Sequence, residues 1–196
     1  MNNKLDLSFY RRKDVVQIAK ELLGKVLVTR IGGVVTSGRI VETEAYSSVE
    51  RGSHAFKGKT KRNAVMFDKG GVAYVYLCYG IHHLFNVVTN EDENADAVLI
   101  RALEPIKGAE HMVARMGARS VNRITSGPGK LAKALGIDRE MNGIALTGST
   151  VWLEDDDFVI ERGGIVKSKR IGIDYAGKDA LLPWRFSLKG NNWISV

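Results

Sequence analysis

Apolar, β-branched segments come in pairs separated by short glycine turns, and this pattern constrains the fold of the 196-residue chain most. Two such pairs are residues 25–31 and 34–46 around Gly32-Gly33, and residues 72–78 and 84–89 around Tyr79-Gly80. Two glycines between strand-like runs are typical of a tight hairpin, whose strands are antiparallel. Residues 185–196 predict a final strand pair that turns at Gly190. The chain therefore favours strands that pair with their neighbours in sequence.

Helical periodicity predicts three helices, over residues 14–24, 106–116 and 126–135. In the first, Asp14 can cap the N-terminus with Gln17 as its reciprocal partner. Further strands are predicted over residues 97–103, 151–153, 158–162 and 164–173. The polar residues 47–71 show no periodicity, which is typical of a functional or mobile loop. With more strand pairs than βαβ units, the layout is α+β.

Composition restricts the class of protein and its partners. A chain of 196 residues with 44% apolar residues suits one domain, residues 1–196, with a core that needs no disulfides. The net charge of +7 favours a polyanionic partner. A lone cysteine, Cys78, and a charged N-terminus without an apolar core indicate an intracellular protein. The longest apolar stretch, residues 72–88, is interrupted by histidines and an asparagine, so no membrane span is expected.

One predicted strand carries two carboxylates on the face that it shares with a tyrosine. Side chains alternate along a strand, so Glu42, Glu44 and Tyr46 point the same way. An edge strand with a solvated acidic face would explain this pattern as well as a functional site would. The spacing alone leaves both interpretations open.

Other motifs are weaker signals of chemistry. The stretch "SGPGKL", residues 126–131, lacks the glycine and hydroxyl positions of a nucleotide-binding P-loop, but a helix start with Lys130 can still bind a phosphate. An ordinary helix N-terminus is the alternative. The adjacent His82 and His83 point to opposite faces of a strand and have no metal-ligand spacing, so no metal site is expected. The tyrosines of residues 74–79 suit either core packing or base stacking.

Several motifs together resemble the alkyladenine (3-methyladenine) DNA glycosylase family. They are "GRIVETEAY" at 38–46, "KRNAVMF" at 61–67, "YVYLCYG" and "FNVV" within 74–88, "LIRALEP" at 99–105, "SGPGKL" at 126–131 and "WRFSLKGNNWISV" at 184–196. The resemblance implies a single α+β domain built on a curved, largely antiparallel sheet flanked by helices. It also implies hydrolysis of the N-glycosidic bond of alkylated or deaminated purines in double-stranded DNA, which initiates base excision repair. No metal, no other cofactor and no covalent lysine intermediate are implied, and we expect a monomer.

The resemblance also assigns the catalytic groups. Glu44 matches the carboxylate that activates a water against C1′ of the flipped nucleotide. Arg101 matches the arginine that positions this water and the nucleotide phosphate. The backbone carbonyl of Ile171 matches a second group that holds the water. Glu42 matches no catalytic role.

The remaining implied roles concern the base pocket and the DNA. Tyr46, His54 and Tyr76 match the walls that sandwich the flipped base. Asn86 matches the residue that excludes a group at the purine 2-position. Tyr79 matches the side chain that intercalates where the base was. The expected location is the cytoplasm or nucleoid in a bacterium, or the nucleus in a eukaryote.

Two functions of other classes remain as alternatives. A nucleic-acid binding module could use the tyrosines of residues 74–79 for stacking without catalysis. A carbohydrate glycosidase could use Glu42 and Glu44, but its two carboxylates must flank the scissile bond, and carboxylates on one strand face do not. An assay of base release from lesion-containing DNA distinguishes a DNA glycosylase from both alternatives.

Overall fold

One antiparallel sheet organises the chain in the computed structural model, which describes residues 3–91 and 93–195. Its strands are β1 Val26–Ile31, β2 Val34–Tyr46, β3 Ala73–Cys78, β4 His82–Thr89, β5 Asp96–Lys107, β6 Val151–Glu154, β7 Ile165–Ser168 and β8 Arg185–Leu188. The strand order is β3-β4-β5-β2-β1-β6, with β8 beside β2 and β7 beside β8. Both predicted hairpins, β1–β2 and β3–β4, are confirmed. The predicted α+β class with a curved, largely antiparallel sheet is also confirmed.

Short helices flank this sheet. They are α1 Leu7–Tyr10, α2 Val15–Glu21, α3 Ala109–Met116 and α4 Pro128–Leu135, with 3₁₀ segments at Ala64–Phe67, Arg139–Met141 and Asp174–Leu181. Asp14 accepts a hydrogen bond from the Gln17 N–H, so its predicted role as the cap of α2 is confirmed, whereas the Gln17 side chain donates to Glu21 and not back to the cap. Apolar side chains of α2 and α4 pack against β2, β4 and β5 and form the main core. No helix of the described residues is long and apolar enough to cross a membrane.

The 13-residue strand β2 lies in the middle of the sheet, not at its edge. Its first half pairs with β1, its second half pairs with β8, and β5 lies along the opposite side. The register against β5 shifts on both sides of Glu42, as in a β-bulge, which bends a strand and redirects its side chains. Glu42 and Glu44 are both fully buried. The interpretation of a solvated acidic edge strand is therefore wrong.

Three predicted elements differ from the structure. Residues 158–162 are not a strand, because Phe158 packs beneath Arg39 and against Gly24 instead of joining a ladder. Residues 106 and 107 end strand β5, and the helix begins only after Gly108, whose φ of +72° turns the chain. Of residues 164–173, only Ile165–Ser168 form a strand. The rest of this segment becomes a loop that reaches the cleft described below.

The C-terminal strand pair is also wrong. Only Arg185–Leu188 forms a strand, and the chain turns at Gly190 with a φ of +74°. The described residues beyond this turn, 191–195, do not return along β8. Their polar groups instead contact other elements, since the Ser195 N–H and hydroxyl both donate to Glu42. Trp193 packs against the core without joining a strand, and Val196 lies outside the described residues.

Candidate functional site

A cleft of about 750 Å³ opens at one end of the sheet. The end of β2, the β3–β4 hairpin, the N-terminus of α4 and the loop after β7 surround it. The sequence-predicted site residues that line it are Tyr46, His54, Tyr76, Tyr79, Asn86, Arg101, Lys130 and Ile171. Glu44 lies just behind this wall, where its carboxylate contacts three of the lining groups. The structure therefore brings together residues that are more than 120 positions apart in the chain.

Glu44 is a fully buried carboxylate held by three donors. The Tyr46 hydroxyl donates to its Oε2 over 2.8 Å, and the Ile171 N–H donates to its Oε1 over 2.8 Å. Arg101 forms an ion pair with Oε1 at 3.2 Å. Burial raises the pKa of Glu44 above its ordinary value, while Arg101, the Ile171 N–H and the Tyr46 hydroxyl each lower it. Such a raised pKa is typical of a functional carboxyl group.

Arg101 is fixed between two glutamates. Its Nε donates to Glu42 over 3.0 Å, and its Nη2 donates to the Ser195 hydroxyl over 3.2 Å. Glu42 also accepts the Ser195 N–H at 2.7 Å. Burial lowers the pKa of Arg101, but the two carboxylates outweigh burial and leave that pKa raised. Glu42, to which the sequence assigned no role, therefore orients the arginine.

Aromatic rings form the walls of the cleft. The rings of His54 and Tyr76 meet edge to face, with centroids 4.5 Å apart. His54 Nδ1 also shares a 3.0 Å hydrogen bond with the hydroxyl of Tyr74, a buried residue that the sequence left between two interpretations. Burial lowers the pKa of His54, and the nearby Arg62 lowers it further. The His54 side chain, which forms one wall of the cleft, is therefore uncharged at neutral pH.

The β3–β4 hairpin presents two predicted residues in contrasting ways. Asn86, which is buried, donates its side-chain amide to the Tyr74 carbonyl over 3.1 Å and also lines the cleft. Tyr79 is 89% exposed at the hairpin tip and has a φ of +50°. A bulky residue with positive φ is unusual, and packing inside the protein does not explain an aromatic ring at this exposed position. The hairpin therefore projects Tyr79 away from the protein.

The N-terminus of α4 forms another side of the cleft. Gly127 caps this helix without a side-chain hydrogen bond, and Pro128 follows it. A Cβ atom on Gly129 would lie 2.9 Å from His82 Cγ, so a larger residue here would displace the His82 side chain. Free helical N–H groups beside Lys130 favour an anion.

The pair Glu50 and Arg170 is a part of this region that sequence reasoning missed. Both side chains are buried and form a bidentate ion pair behind Tyr46. They are 120 positions apart, and neither lies in a local motif that could have indicated their contact.

Over residues 3–91 and 93–195, no three His, Cys, Asp or Glu side chains are grouped as metal ligands would be.

Comparisons with known proteins indicate the family of the chain. The profile of the family described as Methylpurine-DNA glycosylase (MPG) matches residues 8–192. The chain belongs to this family. Membership confirms the resemblance and the predicted enzyme class, a DNA glycosylase of DNA repair that hydrolyses N-glycosidic bonds. It also sets aside a binding module without catalysis and a carbohydrate glycosidase.

Three bacterial relatives of the enzyme show how far the similarity extends. The relative from Carboxydothermus hydrogenoformans is 47% identical over 191 residues, which cover 97% of this chain and 98% of the relative. Those from Desulfitobacterium hafniense and Chlamydia abortus are 44% and 45% identical, and cover 98% and 94% of this chain and 98% of each relative. All three carry the name "Putative 3-methyladenine DNA glycosylase". The similarity therefore extends over nearly the whole of each protein.

Proposed function

We propose that the enzyme extrudes alkylated or deaminated purines, of the 3-methyladenine, 7-methylguanine and hypoxanthine type, from double-stranded DNA and hydrolyses their N-glycosidic bond. A carboxylate-activated water is the nucleophile, and no covalent enzyme intermediate forms. The observation that carries the proposal is the buried Glu44 carboxylate, whose three donors all belong to the wall of an aromatic cleft. We further propose that residues 1–196 act as one domain and as a monomer.

The walls of the cleft suit a flat, positively charged base. Tyr46, His54 and Tyr76 surround the space, and N-alkylated purines carry a positive charge. A cation over an aromatic face gains about 0.5–2 kcal/mol, and a neutral purine gains less. Because the lowered pKa keeps His54 neutral, this wall does not repel a cationic base. The cleft can therefore select alkylated purines as well as hold them.

The catalytic groups act on the water and on the sugar. Glu44 takes a proton from the water and opposes the positive charge that develops on the sugar, and Arg101 and the Ile171 carbonyl help to hold the water and the nucleotide. Oε2 of Glu44 accepts the Tyr46 hydroxyl, and Oε1 accepts the other two donors. Because Glu44 has no exposed surface, the water reaches Oε2 by sharing or replacing the tyrosine hydrogen bond. A positioned general base contributes about 10²–10⁴-fold.

Contacts with DNA complete the proposal. Extruding a nucleotide costs a few kcal/mol, and Tyr79 offsets part of this cost by stacking in the space that the base leaves. Lys130 and the α4 N-terminus contact a backbone phosphate. The net charge of +7 supports binding to a polyanion.

Base release from defined DNA tests the proposed function. The protein is incubated with a duplex that carries one 7-methylguanine or one hypoxanthine, and the DNA is then treated with alkali. Cleavage of the strand at the lesion is the expected result, and an undamaged duplex of the same sequence should stay intact. Binding to the lesion duplex without any cleavage after long incubation would refute the proposal.

Replacing Tyr79 by serine should weaken flipping more than the chemical step. The change removes the ring that replaces the extruded base, a stacking interaction worth about 1–3 kcal/mol. Base release should therefore fall more for a lesion in a duplex than for the same lesion in a single strand. Val159→Ser, at an exposed apolar position outside the cleft, is the control and should change neither rate. Equal loss in both substrates would make Tyr79 a residue of general importance for the fold.

Replacing Asn86 by alanine separates its two possible roles. If the side chain excludes the 2-amino group of guanine, release of normal guanine should rise relative to hypoxanthine, even if both rates fall. If it only satisfies the Tyr74 carbonyl, both rates should fall together. We expect the ratio to rise, and the measurement is the single-turnover release of each base. A constant ratio in the alanine and serine variants would leave discrimination to the aromatic walls.

A further inference from the structure

We propose that Glu50 and Arg170 are positioning residues, which hold three walls of the cleft together and set the protonation of Glu44 through the Ile171 N–H. This inference rests on the proposed function, because it concerns the carboxylate assigned as the base. Neither residue lines the cleft, and neither contacts Glu44 in the described structure. Their influence on the reaction must therefore pass through the backbone that they fix and through the Tyr46 ring, which Arg170 contacts.

The ion pair itself has a well-defined geometry. Arg170 Nη1 and Nη2 donate to the two oxygens of Glu50 over 2.5 and 2.9 Å. The Arg170 side chain has no exposed surface, and that of Glu50 is 4% exposed. The planar guanidinium matches the carboxylate in a way that an ammonium group cannot.

Each partner also fixes a segment that bears a wall of the cleft. Arg170 donates to the Ala45 carbonyl over 2.9 Å, and its guanidinium lies 4.7 Å from the ring centre of Tyr46. Glu50 accepts the Gly52 N–H at 2.7 Å, two positions before His54. Arg170 is adjacent to Ile171, whose N–H donates to Glu44. The ends of β2, the His54 loop and the Ile171 loop thus meet at one pair of side chains.

A second contact connects the same two loops. Arg170 Nη2 donates to the Asp179 carbonyl over 3.1 Å, and the Asp179 carboxylate accepts the Arg51 N–H at 2.9 Å. The Arg170 segment and the residue after Glu50 are therefore both held by Asp179. A third link is the Tyr175 hydroxyl, which donates to the Gly52 carbonyl over 3.3 Å, so the ion pair is the buried, charged part of a set of contacts between these loops.

Stability by itself does not explain such a pair. Replacing a buried ion pair with apolar residues of similar volume is often neutral or stabilising, so burial of charge gives no clear gain in folding free energy. The pair instead specifies one arrangement of loops whose backbone groups must lie within hydrogen-bond distance of Glu44. A shift of about 1 Å in such a constellation can lower a rate by about 10²-fold.

The inference predicts a direction for the pH dependence. The Ile171 N–H lowers the pKa of Glu44, so weakening this hydrogen bond raises that pKa further. The base must be ionised to act, and the acid limb of the pH–rate profile reports its ionisation. Perturbing Arg170 should therefore move the acid limb to higher pH, and raising the pH should restore part of the rate.

Arg170→Lys and Glu50→Asp test this inference. The first keeps the charge but removes the planar fork, and the second keeps the carboxylate but shortens its reach. Single-turnover release of 7-methylguanine from duplex DNA is measured from acid to neutral pH, because a cationic leaving group needs no proton of its own. We expect the rate at acid pH to fall by about 10²-fold in Arg170→Lys, less in Glu50→Asp, and the acid limb to shift upward in both.

Arg39→Lys is a matched control far from the cleft. Arg39 also makes a bidentate pair, with Asp156, donates to a backbone carbonyl, that of Gly24, and lies over an aromatic ring, that of Phe158. Its variant should lower the thermal midpoint without moving the acid limb. If Arg170→Lys does not fold, the milder Glu50→Asp carries the same measurement.

The outcomes separate this inference from the proposed function. If the unchanged enzyme releases no base, the proposed function fails. If the unchanged enzyme is active but both variants keep its acid limb and differ only in thermal midpoint, as Arg39→Lys does, the pair is structural and the inference is overturned. An upward shift of the acid limb in folded variants supports it.

Discussion

Replacing Glu44 by glutamine should lower the single-turnover rate of base release by about 10²–10⁴-fold, while affinity for lesion-containing DNA changes little. The amide keeps the shape of the side chain. Its oxygen can still accept the Ile171 N–H and Arg101, and its nitrogen can donate to the Tyr46 hydroxyl. Only the capacity to take a proton and the negative charge are lost. Rates are measured on a 7-methylguanine duplex, and affinity is measured on the same DNA.

The thermal stability of Glu44→Gln provides a second prediction. Burial raises the pKa of Glu44 in the folded state above its value in the unfolded chain, so ionising this group at neutral pH costs stability. Glu44→Gln should therefore unfold at no lower temperature than the unchanged enzyme. Glu104→Gln, which alters a partly buried carboxylate bonded to Asn191 outside the cleft, is the control for activity. A Glu44→Gln variant with a near-normal rate would remove Glu44 from the mechanism.

Replacing Arg101 by methionine should lower the free energy of unfolding by about 3–5 kcal/mol at neutral pH and abolish detectable base release. Arg101 is the cation between Glu42 and Glu44, and both carboxylates are fully buried. Without it, two like charges share a site of low polarity with no cation between them. Denaturant unfolding followed by fluorescence gives the loss of stability.

The sign of the pH dependence identifies the cause of this loss. Removing Arg101 raises the folded-state pKa of Glu44 still further, because the arginine lowers it. A carboxyl group with a raised folded-state pKa costs stability as the pH rises above its unfolded value, which is about 4.3 for glutamate. The deficit of Arg101→Met should therefore be smallest in acid and grow toward neutral pH.

A double variant provides the complementary measurement. Adding Glu42→Gln to Arg101→Met removes one of the two like charges, the one that keeps a weaker ion pair with Arg185 at 3.5 Å, so it should recover part of the lost stability. Recovery at neutral pH but not in acid would confirm repulsion between buried charges as the cause. A deficit that is independent of pH and unaffected by Glu42→Gln would instead indicate lost packing around the arginine stem.

The amino-acid sequence by itself determined part of the local structure and the family to which the site belongs. The glycine turns and strand periodicity predicted both hairpins, because turn conformation and side-chain alternation depend on residues close in the chain. The resemblance to the glycosylase family implied that Glu44, Tyr46, Arg101 and Ile171 belong to one site, and in the structure the last three contact the Glu44 carboxylate. Membership in the glycosylase family could also be predicted from the sequence, since it depends on residue identities alone.

Only the tertiary structure decided how these residues are held. Strand spacing could not distinguish a solvated acidic face from a buried one, because the two differ in what packs against β2 and not in β2 itself. The role of Glu42 depends on Ser195, 153 positions away, and that of Glu50 on Arg170, 120 positions away. Contacts at such separations leave no periodic signal in a single sequence. Burial by these distant segments raises the pKa of Glu44, so the chemistry of this carboxylate depends on the folded chain.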